Sequence, residues 1–214
     1  WLLSTPADDL WRFELPDGTR IEQELFACHG SPRVVLRLRL LEARPDVRLE
    51  LRPFLSGRDY HALQRENGAF GFNVQERAER LRFQPYPDVP GVFALSNGRF
   101  ELAPDWYRGF LYREEQERGL DCVEDLAVPG VLHFSLSEQP AVLILQADLP
   151  TESPPPERSA LSFAERCAAR EQTRRARFDS RAALAADAYI VARGKGKTIV
   201  AGYPWFTDWG RDTF

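Results

Sequence analysis

At 214 residues, 43% hydrophobic and 28% charged, the chain has room for one large domain, or one domain and part of a second, around a sizeable core. Its formal net charge of −4 lacks the basic surplus that a phosphate backbone demands, which argues against nucleic acid as a main partner. No apolar run approaches the length of a membrane span, and the opening "WLLSTPADDLW" lacks the basic and apolar regions of a signal peptide, so no membrane partner is expected.

From about Trp11 to Asp148 the dominant period is two. "WRFEL" and "RIEQELF" flank "PDGT", where proline fixes one turn angle and Gly18 accepts positive φ, which reads as a hairpin. In "VVLRLRLLEARPDVRLELRPFL", Leu36, Leu38 and Leu40 fall on one face and Arg37 and Arg39 on the other; Val47, Leu49 and Leu51 repeat the pattern after a turn. Each strand is thus expected to have one wet and one dry face. Further candidates are "AFGFNV", "RLRFQ", "GVFALS", "RFELA", "GVLHFSLS" and "AVLILQA", with "YPDVPG", "SNG", "VPG" and "SEQP" read as the turns between them. Many short strands separated by turn chemistry predict an antiparallel β-sandwich.

Two stretches in this region carry hydrogen-bonding groups. "SGRDYHALQREN" sets Arg58, Asp59, Tyr60 and His61 just after a strand end, and reads either as a structural loop tied by an Asp to Arg pair or as a substrate-facing loop. "YREEQERG" at 112–119 reads as solvated surface. His29, His61 and His133 are scattered and make no metal-ligand pattern or nucleophile triad. Cys28, Cys122 and Cys167, odd in number and far apart, fit free thiols in a reducing compartment better than a disulfide framework.

The composition changes at "LPTESPPPERS", whose prolines cannot join a ladder and favour an extended connector. Beyond it, Leu161, Ala164, Cys167 and Ala168 recur at helical spacing, with Ser159 or Ser162 available as cap. A second helix is predicted over "RAALAADAYIVAR", from Ser180 to near Gly194. "ARGKGKT" ends in the Gly-Lys-Thr chemistry of a phosphate loop, but that pattern needs a glycine where Val191 stands, so a flexible basic turn is expected.

The segment "GYPWFTDWGRDTF" at 202–214 suits no regular element. Sugars present hydroxyl groups and apolar C–H faces, and their sites combine aromatic rings with carboxylates and guanidinium groups. Tyr203, Trp205 and Trp209 supply rings; Asp208, Arg211 and Asp212 supply acceptors and a forked donor. The same residues also fit core aromatics plus helix caps, so chemistry alone leaves both readings open.

"AGYPWFTDWGRDTF" closely resembles the segment that opens the catalytic domain of the archaeal and bacterial type of glycogen debranching enzyme, the amylo-alpha-1,6-glucosidases. "FACHG" and "LRPFLSGRDYH" look like that family's N-terminal β domain. The resemblance implies a mainly β fold: an antiparallel supersandwich over 1–150, a Pro-rich linker with helices over 151–193, and the opening of an (α/α)6 barrel over 194–214. The lack of any methionine and of the family's glycine-rich "TNGLGGY"-like opening implies a piece of a longer protein. By the same likeness Trp209 stacks near the terminal glucose, Arg211 and Asp212 grip its hydroxyls, and Tyr203, Trp205 and Asp208 line the wall.

In such barrels hydrolysis resembles the inverting scheme, whose acid and base carboxyls stand roughly 6.5–9.5 Å apart. Asp208 and Asp212, four residues apart, would sit too close on a helix, and the family's acid and base come from later segments. None of the catalytic residues is therefore expected in this chain, and alone it is expected to be inactive. The implied function is removal of α-1,6-linked glucose at branch stubs, with glycogen or a branched α-glucan as partner, no cofactor and a cytoplasmic setting. Rival readings are a glucoamylase-like or phosphorylase-like enzyme and a non-catalytic carbohydrate-binding sandwich.

Overall fold

A computed structural model describes residues 2–5, 10–59, 62–150, 159–202 and 206–207, the first of these segments by its backbone. The chain divides into two compact units, 1–58 with 63–167, and 59–62 with 168–214. The first unit is mainly β and wholly antiparallel. Its larger sheet runs in the order β1 (Leu2–Thr5), β2 (Leu10–Glu14), β3 (Arg20–Ala27), β4 (Arg33–Leu40), β11 (Ala141–Ala147), β8 (Val92–Ser96), β7 (Arg80–Phe83) and β6 (Val74–Arg77). A three-stranded sheet orders β5 (Arg48–Leu51), β10 (Val123–Ser135) and β9 (Arg99–Leu111).

The two sheets enclose one core, as a sandwich requires. Leu81, Phe83, Ala94, Ala141 and Leu143 face it from the large sheet; Trp106, Ala127, Leu132 and Phe134 face it from the small one. Leu36, Leu38 and Leu40 pack against this cluster, in agreement with the period-two reading. The predicted hairpin is present, with Glu14 opposite Arg20 and Gly18 at φ +78°. Arg37 and Arg39 lie on the opposite face of β4, where cross-strand carboxylates answer them. Glu22 stands between Arg12 and Arg39 in register, accepting from their Nε atoms at 3.0 and 2.9 Å, and Arg37 pairs with Glu24 at 3.0 Å.

The expectation of one wet face per strand fails at the centre of the large sheet. Val35, Ile144 and Leu95 lie side by side across β4, β11 and β8, and none has any exposed surface. The reason is α2 (Ala160–Arg175), whose Ala160, Phe163 and Ala164 are buried. Arg33, two residues from Val35, lays its guanidinium 5.8 Å from the Phe163 ring centre, and the Ala160 N–H donates to Glu79 at 2.6 Å. Ser159 rather than Ser162 is the cap, accepting from the Ser162 N–H at 3.4 Å.

"VPG" at 128–130 does not end a strand. β10 runs through it, because Asp105 pairs with Val128 and Leu102 with Gly130: β9 advances three residues while β10 advances two. This bulge holds Pro104 and Pro129, neither of which can donate to a ladder, where the ladder is already broken. A second bulge follows, with Tyr107 opposite Leu126 and Phe110 opposite Glu124, and Gly109 inside it at φ +74°. "AFGFNV" yields only its final Val74 to β6, while Phe70 and Phe72 join the ring cluster around Trp106. "YREEQERG" is mostly exposed and contains the short helix α1 (Arg113–Glu117).

In the second unit α3 (Arg181–Tyr189) starts at Ser180, whose hydroxyl accepts from the Ala183 N–H at 3.1 Å. Arg174 joins the later turns of α2 to α3, bonding Glu171 at 2.9 Å and also Asp187. The predicted helix stops four residues early. Ile190–Arg193 form β12, which pairs with β13 (Gly196–Ile199) through a two-residue turn with Gly194 at φ +55°. β-Branched Ile190 and Val191 followed by a glycine able to take positive φ favour a hairpin over another helical turn. The basic-turn reading of "ARGKGKT" holds in that form.

Gly130 sits where a side chain has no room: an added Cβ would meet the Phe100 Cζ at 2.6 Å and the Glu101 carbonyl oxygen more closely still. Gly130→Ala is expected to destabilise the first unit by about 1–3 kcal/mol, seen as a lower urea midpoint. Gly18→Ala, with open space around the Cβ, strains only its own turn and is expected to cost less.

Candidate functional site

The six predicted sugar-binding residues, Tyr203, Trp205, Asp208, Trp209, Arg211 and Asp212, lie outside the described residues, as do Tyr60 and His61. The backbone leading to them is described. After β13, the Val200 N–H donates to the Tyr189 carbonyl at 2.9 Å and its side chain is buried. Gly202 then bridges to Phe206, whose N–H returns to the Gly202 carbonyl at 2.8 Å, and the Ala201 N–H reaches the Thr207 carbonyl at 2.9 Å. These bonds join the backbone of 201–202 to that of 206–207.

Among the described residues a cluster of charged and phenolic groups surrounds Glu124 on β10. Its side chain has no exposed surface. Arg58 forks onto it, Nε to Oε1 at 2.5 Å and Nη2 to Oε2 at 2.8 Å. The Tyr112 hydroxyl donates to Oε2 at 2.5 Å and the Gln64 N–H to Oε1 at 3.0 Å. Burial works to raise the Glu124 pKa, but the bonds from Arg58, Tyr112 and Gln64 outweigh it and hold the carboxyl below its ordinary range. Tyr112 is pushed up to about 12, by burial first and then by Glu124. The Glu124 hydrogen bond raises Arg58 in turn.

This arrangement joins and does not react. A general acid must release a proton near working pH and a general base must have a lone pair facing substrate; Glu124 is held ionised with both oxygens engaged. What it does is fasten the 52–70 excursion to β10, which favours the structural reading of "SGRDYHALQREN". The tie that the structure shows runs from Arg58 to Glu124, 66 residues away. No local pattern signals such a partner. Next to it, Asp125 accepts from the Glu66 N–H at 3.1 Å and the Gly109 N–H at 2.9 Å, fixing both the loop and the second bulge.

His133 lies between Glu50 and Glu101, at 3.8 and 3.3 Å. Among the described residues no three His, Cys, Asp or Glu side chains gather as a metal centre would require. Cys28, Cys122 and Cys167 are half-buried thiols, not bridged. No helix among the described residues is long and apolar enough to cross a membrane.

The Glu124 cluster dictates a pH response. A carboxyl with a lowered folded pKa contributes stability that is complete above its ordinary value of 4.5 and lost as pH falls below it. The raised Tyr112 phenol contributes below 10, and that contribution is lost as pH rises through about 12. Arg58→Ala, which strands a buried charge, is expected to cost about 3–5 kcal/mol and to move the midpoint of acid unfolding to higher pH. Tyr112→Phe is expected to cost about 1.5–3 kcal/mol. In an ultraviolet titration it removes a phenol whose ionisation is pushed up to about 12.

Comparison with known proteins places these observations in a family. Residues 5–143, more than half of the chain, match the family model for the glycogen debranching enzyme N terminal, and residues 184–214 match that for amylo-alpha-1,6-glucosidase. No curated protein and no solved structure matches. The first match spans most of the sandwich, and the second takes in most of α3, the β12–β13 hairpin and the aromatic segment after it. The chain belongs to the glycogen debranching enzyme family.

Proposed function

We propose that this chain is part of an enzyme that hydrolyses the single glucose held in α-1,6 linkage at a glycogen branch stub, with inversion. The observation that carries the reading is the coincidence of the amylo-alpha-1,6-glucosidase match with the segment richest in sugar-gripping side chains. Residues 1–150 form the sandwich domain, 151–193 the linker and helices, and 194–214 the opening of an (α/α)6 barrel.

In this reading Trp209 lies against the apolar face of the terminal glucose. Arg211 donates a fork of N–H bonds to neighbouring hydroxyls and Asp212 accepts from them, while Tyr203, Trp205 and Asp208 complete the wall. Their work is to fix the ring so that protonation of the leaving oxygen and attack by water occur in line. None of the carboxylates in residues 1–214 is the acid or base, so the chain by itself does not turn glucan over. The substrate is a cytoplasmic glucan store and no cofactor takes part.

The test is release of free glucose from a limit dextrin by the enzyme that contains this chain together with its barrel. Asp212→Ala is expected to lower that release more than tenfold, about 1.4 kcal/mol or more in transition-state binding, with an unchanged melting midpoint. Wild-type kinetics in Asp212→Ala would remove Asp212 from the pocket. Cleavage that requires inorganic phosphate would instead identify a phosphorylase.

A further inference from the structure

Of the three asparagines in the chain, Asn67 and Asn97 are each followed by glycine, and Asn73 by the β-branched Val74. An Asn-Gly pair is chemically labile in water. The backbone nitrogen of the glycine, with no neighbouring Cβ to hinder its approach, can reach the side-chain carbonyl carbon of the asparagine and close a five-membered ring. Whether a given pair reacts depends on how the fold holds that nitrogen.

At Asn97–Gly98, the turn between β8 and β9, it is held firmly. The Gly98 N–H donates to the Ser96 hydroxyl at 3.1 Å, and a Cβ at Gly98 would meet the Phe134 ring at 2.6 Å. The Asn97 amide is engaged too, Nδ2 donating to the Pro140 carbonyl at 2.9 Å and Oδ1 accepting from the Val142 N–H at 2.8 Å. In the related Asp17–Gly18 pair, the Gly18 N–H is bonded to the Leu15 carbonyl at 2.9 Å.

Asn67–Gly68 differs. It lies in the 52–70 excursion, outside any strand, with Gly68 and Ala69 exposed. A Cβ at Gly68 would meet nothing within 4 Å, and the Gly68 N–H makes no hydrogen bond among the described residues. Asn67 Oδ1 accepts from the Ala69 N–H at 3.0 Å, which draws electron density from Cγ and favours attack there. Nδ2, the group that must leave, donates to the Arg65 carbonyl at 2.9 Å and the Tyr86 hydroxyl at 2.8 Å, two bonds that one side-chain rotation breaks.

We propose that Asn67–Gly68 is a site of self-modification. The Gly68 nitrogen attacks the Asn67 Cγ; the new N–Cγ bond forms as Cγ–Nδ2 breaks, and Nδ2 leaves as ammonia with the proton that the ring nitrogen has lost. Water then splits either C–N bond of the ring. Splitting at Cγ leaves aspartate, and splitting at the Asn67 carbonyl carbon leaves isoaspartate, whose backbone runs through the former side chain. Either product is an acceptor only, so the bond to the Arg65 carbonyl is lost and a negative charge appears beside Glu66. The site is flanked by the bonds that fasten the excursion, from the Gln64 and Glu66 N–H groups to Glu124 and Asp125, and by Phe70, whose ring packs on Trp106. Modification therefore loosens the excursion as the protein ages.

Storage of the folded chain at mildly alkaline pH, followed by peptide mass spectrometry over time, tests the site, with an isoaspartyl methyltransferase reporting the iso form. The mass gain of an amide-to-acid change is expected at Asn67 about tenfold or more faster than at Asn97, which must await local opening of its turn. Gly68→Ala, whose Cβ has open space, is expected to slow the reaction about tenfold with an unchanged melting midpoint. Asn67→Gln, whose longer amide needs a six-membered ring, is expected to abolish it. Aged protein is expected to exchange the backbone amides of 62–70 for deuterium at least threefold faster than fresh protein, with those of β11 unchanged. An unmodified Asn67, equal rates at Asn67 and Asn97, or a Gly68→Ala rate equal to wild type overturns the site. Modification with unaltered exchange overturns its effect on the excursion.

Discussion

A carboxylate with no surface in water must find its solvation within the protein, and at Glu124 that requirement organises one side of the sandwich. Two donors come from Arg58, one from the backbone at Gln64 and one from Tyr112. These groups lie before the ladder and in the connection between its two strands, so one buried charge fixes the long excursion after β5 and the end of β9. A hydrophobic residue at 124 would leave the Arg58 guanidinium to be solvated elsewhere. The ionic tie is therefore best understood as specifying one loop path, not as a net source of stability.

The large sheet meets the opposite demand. Its central strands must be apolar on both faces because the core lies on one side and the first turns of α2 on the other. The sheet is wet toward β2 and β3, where the Arg12, Glu22 and Arg39 row replaces a covering element. Glu22 is nearly buried and still ionised: burial opposes its charge, and the bonds from Arg39 and Arg12 restore it.

How much of this was legible in the sequence depended on range. The alternation of Leu36, Leu38 and Leu40 with Arg37 and Arg39 was visible because a pleat is a two-residue rule, and the Pro-Asp-Gly turn because its chemistry is local. The passage of β10 through Val128, Pro129 and Gly130 was not, since the bulge that accommodates two prolines belongs to a pair of strands. The pairing of Arg58 with Glu124 was hidden for the same reason. For the glucose pocket the order reversed: the residue types in "YPWFTDWGRD" named a chemistry, while their geometry lies outside the described residues.

The large sheet also has an outer margin, formed by β6. A strand at a sheet edge offers unpaired backbone groups to any other extended chain, the usual seed of aggregation. Here that strand is only four residues long and carries Gln75, Glu76 and Arg77, all exposed. Adding a foreign strand there would require desolvating charges of both signs to gain a few backbone bonds. The margin thus makes a poor template for a further strand.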